Sequence, residues 1–360
     1  MIYFHYRLIF VNQSKGLERV NHDRLSALPD DVILAIVHML DTGTAVRIGA
    51  LARRWRRVPR LLSDLVIDVA DLIPHASGRT VDDIMTTYTN STRWLLAPSE
   101  EWSIRSLRLA FYLTDPYLHC IGNALVESGG STARPLEFTI RADVDTWLVD
   151  KAQRAMFGRR FMSFLGACPV AFSWLTSLTL QYICFSDSDI SDLLSTCSRL
   201  ELLSLNRCSS SSHGVLQIDA PTSSLLTLEI CDFFYRGVEL TSVPKLQRFF
   251  CEDVNDFAPC ARVRFGYVPC LRNINLLTLH LRYYHDDSRQ LFPAFSNLRV
   301  MYLSGLETDK MVWTLFVLAA TPLLKKLSTK VRLLFSSLKS PFLLVLSFCA
   351  SFNYYFTPKP

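Results

Sequence analysis

Leu175-Thr176-Ser177-Leu178-Thr179-Leu180, Leu200-Glu201-Leu202-Leu203-Ser204-Leu205 and Leu225-Leu226-Thr227-Leu228-Glu229-Ile230 begin 25 residues apart and decide how this chain folds. Each segment suits a short strand whose alternate apolar side chains turn inward. Such a unit cannot bury its own apolar edge, but stacked copies share one continuous core and a parallel sheet, so the array reads as a cooperative solenoid. Weaker copies follow at Leu246/Phe249/Cys251, Leu271/Ile274/Leu276, Leu298/Met301/Leu303 and Leu324/Leu327/Thr329. Upstream, Ile104/Leu107/Leu109 and Phe138/Ile140 are earlier members separated by longer insertions. The residues between strands are expected to return along the opposite face as helix or irregular turn. Pro169, Pro244 and Pro322 precede their strands at similar places, where a missing backbone donor is tolerated.

Ahead of the array lies a different pattern. Leu28-Pro29-Asp30-Asp31 leads into Val32, Ile33, Ile36, Val37 and Leu40, the i, i+3, i+4 recurrence of an amphipathic helix. Asp30 and Asp31 belong in its first turn, where carboxylates suit free backbone amides and the positive end of the helix dipole. After Asp41-Thr42-Gly43, a second helical pattern sets Ala45, Ile48, Leu51 and Ala52 on one side, and Trp55 extends it toward Pro59, which stops it. Helices this short bury little surface alone, so their exposed apolar residues pack on the repeats or meet a partner.

Leu28 to Asp31, Ile36, Leu40, Ala45-Val46-Arg47, Leu51 and Arg53-Arg54-Trp55 together closely resemble the F-box in its plant form. The following repeats resemble leucine-rich repeats, with Cys208 at the Asn/Cys position of that consensus, eight residues after Leu200. The combination looks like the plant F-box/leucine-rich-repeat family. This resemblance implies an α/β fold: a small three-helix F-box, then an irregular leucine-rich-repeat solenoid with a curved parallel sheet. The implied division is an N-terminal extension over 1–22, the F-box over 23–68, a connecting segment over 69–100, the solenoid over 101–330 and an apolar tail over 331–360. The resemblance further implies docking of the F-box onto a Skp-type adaptor and through it onto a cullin ligase core, with Leu28, Pro29, Val32, Ile36, Leu40, Leu51 and Trp55 as adaptor-binding residues. Two departures stand out. Gly49 occupies a helix-interior position, at a cost of about 1 kcal/mol relative to alanine, and Val58-Pro59 replaces the family's usual Leu-Trp.

Composition narrows the remaining classes. With 360 residues, 49% of them hydrophobic, the chain can bury a sizeable core, and a net charge of +5 is too small to specify a partner. The ten cysteines include no CxxC pair and no spaced Cys/His quartet, so no metal site is expected and most thiols read as small buried groups. Residues Met1 to Val11 are apolar but carry His5 and Arg7 and lack a cleavage site, which argues against secretion. The expected location is therefore cytoplasmic, nuclear or both, with reduced cysteines and unmodified sequons at Asn12 and Asn90. From Ser340 to Pro358 only Lys359 follows the uncharged run, yet Pro341, Asn353 and several serines interrupt it, and a membrane anchor is not expected.

Other candidate sites have plainer readings. Arg53, Arg54, Arg56, Arg57 and Arg60 form a dense basic run, read as a solvated helix face beside Trp55, and nucleic-acid binding is not expected. His213 after Ser209 to Ser212 lacks an ordered acid partner and an oxyanion turn. Asp187 and Asp189 suit the start of a helix better than a metal site, and His280, Glu252-Asp253 with Asp256, and Asp286-Asp287 read as strand-face or loop residues. No phosphate-binding glycine motif appears, so neither a cofactor nor catalytic residues are expected. The resulting functional expectation is a target-recognition adaptor subunit of an SCF-type (Skp-cullin-F-box) ubiquitin ligase that binds an unknown target protein through its repeats. The alternative is a non-catalytic interaction scaffold whose divergent F-box no longer recruits the ligase.

Overall fold

A computed structural model describes residues 28–40, 44–45, 62–71, 80–97, 104–128, 135–143, 149–211, 214–232, 234–235, 237–252, 262–277, 294–307, 318, 320–335 and 346–355. It is a mixed α/β solenoid built on one long sheet. In chain order the sheet strands are β1 (Asp64–Asp68), β2 (Ser106–Tyr112), β3 (Leu136–Arg141), β4 (Leu175–Gln181), β6 (Leu202–Asn206), β9 (Thr227–Cys231), β11 (Arg248–Glu252), β13 (Asn273–Leu277), β14 (Val300–Glu307), β15 (Lys326–Phe335) and β16 (Leu346–Tyr355). They lie side by side in that order, parallel from β1 to β15, and β16 closes the series antiparallel.

The leucine spacing sets the register. Leu178, Leu203, Leu228, Phe249, Ile274, Met301 and Leu327 stand opposite one another across successive strands. Leu180, Leu205, Ile230, Cys251, Leu276, Leu303 and Thr329 form the next buried row. Because side chains alternate faces with period two, a slip of one residue would expose every member of a row, and burial therefore locks the pairing. Upstream, Leu109 and Phe111, rather than Leu107 and Leu109, face Phe138 and Ile140. That two-residue step keeps the same face inward. It leaves Leu107 and Leu109 opposite Leu65 and Ile67 of β1, so among the described residues the series begins at Asp64, inside the range read from sequence as F-box.

The return limbs change character along the chain. Early ones are helical: α2 (Val81–Leu96), α3 (Tyr117–Glu127), α4 (Lys151–Ala167), α5 (Pro169–Ser173) and α6 (Asp189–Thr196). Thr80 with Asp83 caps α2, and Asp150 with Gln153 caps α4, each by a reciprocal capping box. Later limbs are strands, β8 (Val215–Asp219), β10 (Gly237–Ser242) and β12 (Arg262–Tyr267), which pair in parallel as a second sheet, where sequence had suggested helix or irregular turn. The reason is visible in VLQID and GVELTS, whose alternate residues Leu216, Ile218, Val238 and Leu240 are buried. A period-two pattern of this kind folds as strand.

Turns at the strand entrances repeat a single chemistry. The amides of Ser223, Leu246, Leu271 and Leu324 donate to the carbonyls of Ala220, Val243, Val268 and Thr321, with Pro221, Pro244, Pro269 and Pro322 second in each turn. Proline is favoured there because its φ is preset and no amide is required. The core lies between the long sheet and the return limbs, with Phe138, Phe161, Phe164 and Phe172 packed edge to face. At the far end, Leu346–Tyr355 of the segment read as a tail pairs with all ten residues of β15. Among the described residues no helix is long and apolar enough to cross a membrane.

Candidate functional site

The front helix α1 (Asp30–His38) has its own small core. Ile33, Val37, Ala45 and Leu62 are buried together, and Leu28 and Ile36 pack partly against them. Asp30 and Asp31 occupy the first turn, but Pro29 at the N-cap offers no side-chain bond; its carbonyl accepts from the Ile33 amide at 3.0 Å. Val32 is 38% exposed and Met39 is 86% exposed, and half-buried Ile36, which leans partly on this core, lies between them. Residues at i, i+4 and i+7 share a helix face, so these three form an apolar stripe open to a partner.

The second surface is the outward face of the long sheet. Its central row runs Thr139, Thr179, Ser204, Glu229, Phe250, Asn275, Tyr302 and Ser328. A parallel row runs Glu137, Ser177, Leu202, Thr227, Arg248, Asn273, Val300 and Lys326. Most of these side chains are polar or half-buried, and the Lys326 ammonium lies 5.1 Å from the centre of the Tyr302 ring. At the other end of the sheet, Arg141 of β3 reaches over Ala110 and donates to both carboxylate oxygens of Asp68 on β1, each at 2.9 Å.

Strand exits are equally regular. Tyr182, Arg207 and Asp232 follow β4, β6 and β9, and all three take left-handed backbone conformations with φ of 58°, 53° and 49°. That conformation costs an L-residue roughly 1–2 kcal/mol. Here it is held by a ladder: their amides donate to the carbonyls of Asn206, Cys231 and Glu252 in the next repeat. The Arg207 guanidinium also donates to the Tyr182 hydroxyl at 2.6 Å and to Asp232 at 3.3 Å. Among the described residues no cluster of three or more His, Cys, Asp or Glu side chains is gathered as a metal site requires.

Comparison with known proteins places this geometry. Residues 134–285 match the leucine-rich-repeat family model described as "FBD-associated F-box protein At5g56370, LRR repeats". The chain is similar to plant F-box/leucine-rich-repeat proteins. It is 24% identical to F-box/FBD/LRR-repeat protein At1g13570 of Arabidopsis thaliana, over 85% of this chain and 75% of that protein. It is also 24% identical to Putative F-box/LRR-repeat protein At5g02930 of the same plant, over 85% of this chain and 63% of that protein. A shorter match, 37% identical over 75 residues, is to F-box protein At1g80960 of Arabidopsis thaliana and covers 21% of this chain and 15% of that protein.

Within this family frame the sequence-derived adaptor residues separate by environment. Val32 and Pro29 are exposed, Leu28, Ile36 and Leu40 are half-buried, and Leu51 and Trp55 lie outside the described residues, as do Gly49 and the arginine run. Met39, the most exposed apolar side chain of the stripe, was not among the residues singled out from sequence. Asp189 does organise the start of α6, but by accepting from the Ser186 amide at 2.7 Å rather than capping forward. Glu252 closes β11, whereas Asp253, Asp256, His213, His280, Asp286 and Asp287 lie outside the described residues.

Cys208 sits where the repeat consensus places Asn or Cys. It is fully buried, and its thiol donates to the Leu180 and Asn206 carbonyls at 3.6 and 3.4 Å, tying adjacent repeats together. Burial pushes the Cys208 and Cys197 thiols up to about 12, and burial followed by the nearby Glu229 carboxylate pushes Cys231 to about 11, from an ordinary 9.0. Because the folded state holds these protons longer than the unfolded chain does, the stability they contribute is complete below pH 9.0 and is lost as pH rises toward the folded values. The melting temperature should therefore fall as pH is raised from 9 to 11. At pH 8, iodoacetamide followed by mass spectrometry should label exposed Cys270 while sparing Cys197 and Cys208; equal labelling would contradict their burial.

Proposed function

We propose that this chain is the target-receptor subunit of a Skp–cullin–F-box ubiquitin ligase and supplies no catalytic residue itself. The observation that carries the reading is the exposed pair Val32 and Met39, flanking half-buried Ile36 on a front helix whose other face is satisfied by Ile33, Val37, Ala45 and Leu62. An exposed stripe of this kind suits a hydrophobic interface with a Skp-type adaptor. The solenoid behind it would hold a target protein on its outward strand face. Simultaneous docking raises the effective concentration of target lysines near the ubiquitin carrier, so the contribution to rate is proximity.

The geometry refines which substitutions test this. Leu28 packs partly on the module's own core, so truncating it confounds docking with folding. Val32→Asp combined with Met39→Asp places charge on the exposed stripe and leaves the core intact. Pull-down of a purified Skp-type adaptor should weaken by about tenfold or more, since a few central apolar anchors dominate such interfaces. Undiminished capture would overturn the assignment of this face, and absence of capture by the unaltered chain would favour a scaffold that does not recruit the ligase.

A further inference from the structure

Charge is distributed unevenly along the long sheet. Near its beginning, basic side chains meet carboxylates: Arg105 bonds Asp64, Arg108 lies 3.0 Å from Glu137, and Arg141 lies 2.9 Å from Asp68. Farther along the pairing stops. Arg248, Arg272, Arg299 and Lys325 are exposed at the entrances of β11, β13, β14 and β15, and none has a carboxylate partner among the described residues. Their spacing is regular: the Arg272 amide donates to the Gln247 carbonyl at 2.9 Å, the Arg299 amide to Arg272 at 2.8 Å, and the Lys325 amide to Arg299 at 2.8 Å. Arg272, Arg299 and Lys325 thus hold equivalent positions on neighbouring strands, roughly 4.8 Å apart. Like charges side by side on a sheet repel, a cost that an anionic partner would relieve.

We infer that this strand edge binds an extended acidic segment of a target protein. The inference rests on the reading that the outward strand face receives the target, and it adds the chemistry of what is received. Two observations favour a peptide over a nucleic acid. The same row begins with exposed Glu201, whose carbonyl accepts from the Leu226 amide, whose own carbonyl accepts from Gln247. The edge therefore runs from acidic to neutral to basic. A uniformly anionic polymer would be repelled at the Glu201 end, and Glu229 and Glu252 lie on strands beside the basic group. Next to the cations, half-buried Phe250, Tyr302 and the aliphatic stem of Lys326 offer apolar contact for side chains between the acidic residues.

Fluorescence anisotropy with the purified full chain tests this. The probes are a labelled peptide of alternating Glu and Gly, about ten residues long so that it spans these strands at roughly 3.3 Å per residue, the same peptide with Gln for Glu, and an oligothymidylate of equal length. The Glu peptide should bind more tightly than the Gln peptide and the oligothymidylate, and should weaken with salt. Arg272→Gln, Arg299→Gln and Lys325→Gln together should reduce its affinity about tenfold, with no loss of melting temperature because their mutual repulsion is removed, while Arg108→Gln leaves it within about twofold. Equal binding of Glu and Gln peptides, tighter binding of the oligothymidylate, or full affinity in the triple variant would each overturn the inference. Adaptor capture by the same preparation reads the ligase assignment separately. Capture without peptide binding removes only the acidic-segment inference, and peptide binding without capture removes only the ligase reading.

Discussion

Phe172→Ala should lower the free energy of unfolding by about 4 kcal/mol, the largest loss expected from any single truncation in the early repeats. Phe172 is fully buried on α5, and its ring meets Phe164, Phe138 and Phe161 at centroid distances of 5.0, 5.7 and 6.0 Å, all edge to face. Each such pair contributes roughly 0.5–1.5 kcal/mol beyond the area it covers. Phe138 belongs to β3, and Phe161 and Phe164 to α4, so this one ring joins three elements. Neighbouring aromatic rings are too stiff to fill the vacated space, and the cavity should persist. Urea denaturation followed by circular dichroism would show the midpoint falling at unchanged slope. A loss under about 1 kcal/mol would mean that the cluster collapses around the gap.

Gly158→Val should cost about 3 kcal/mol, and even Gly158→Ala should destabilise. Helix propensity alone argues the opposite, because glycine inside a helix is roughly 1 kcal/mol worse than alanine. Packing decides the sign here. A β-carbon on Gly158 would come within 2.1 Å of the Cys184 carbonyl oxygen and 3.1 Å of its carbon, and both atoms are backbone, unable to rotate aside. Cys184 belongs to the two-residue strand β5 (Cys184–Phe185), paired with β7 (Ser209–Ser210), so α4 would have to lift from the sheet edge that it covers. Gly166, near the end of the same helix, supplies the control: nothing lies within 4 Å of its missing β-carbon, so Gly166→Ala should be neutral or stabilising by up to about 1 kcal/mol. Thermal melts of the two alanine variants should shift in opposite directions.

Legibility followed periodicity. The rows from Leu178 to Leu327 and from Leu180 to Thr329 were readable because each repeat places the same apolar triplet on one inward face, and spacing alone then sets register. Strand β1 was not, because Leu65-Val66-Ile67 is a single short apolar run between aspartates and resembles the end of the preceding module. The capping box at Thr80 and Asp83 marks α2 inside a segment read as a connector, a local signal that was present and passed over. At the front helix, Leu28 and Val32 look alike in sequence as apolar residues near LPDD. Only the positions of Ala45 and Leu62 show that Leu28 leans on the internal core while Val32 and Met39 stay open.

The linear order of residues by itself determined that the chain would stack repeats into a parallel sheet, because stacked leucine faces can be buried only against one another, and that a separate amphipathic helix would precede them. What only the tertiary structure decided is which charges find partners. Arg141 and Asp68 are 73 residues apart in the chain yet 2.9 Å apart in space, whereas Arg272, Arg299 and Lys325 are brought into line with no carboxylate facing them among the described residues. Ion pairing falls off over a few ångströms and depends on register between distant strands. A count of charges along the chain, net +5, carries none of that information.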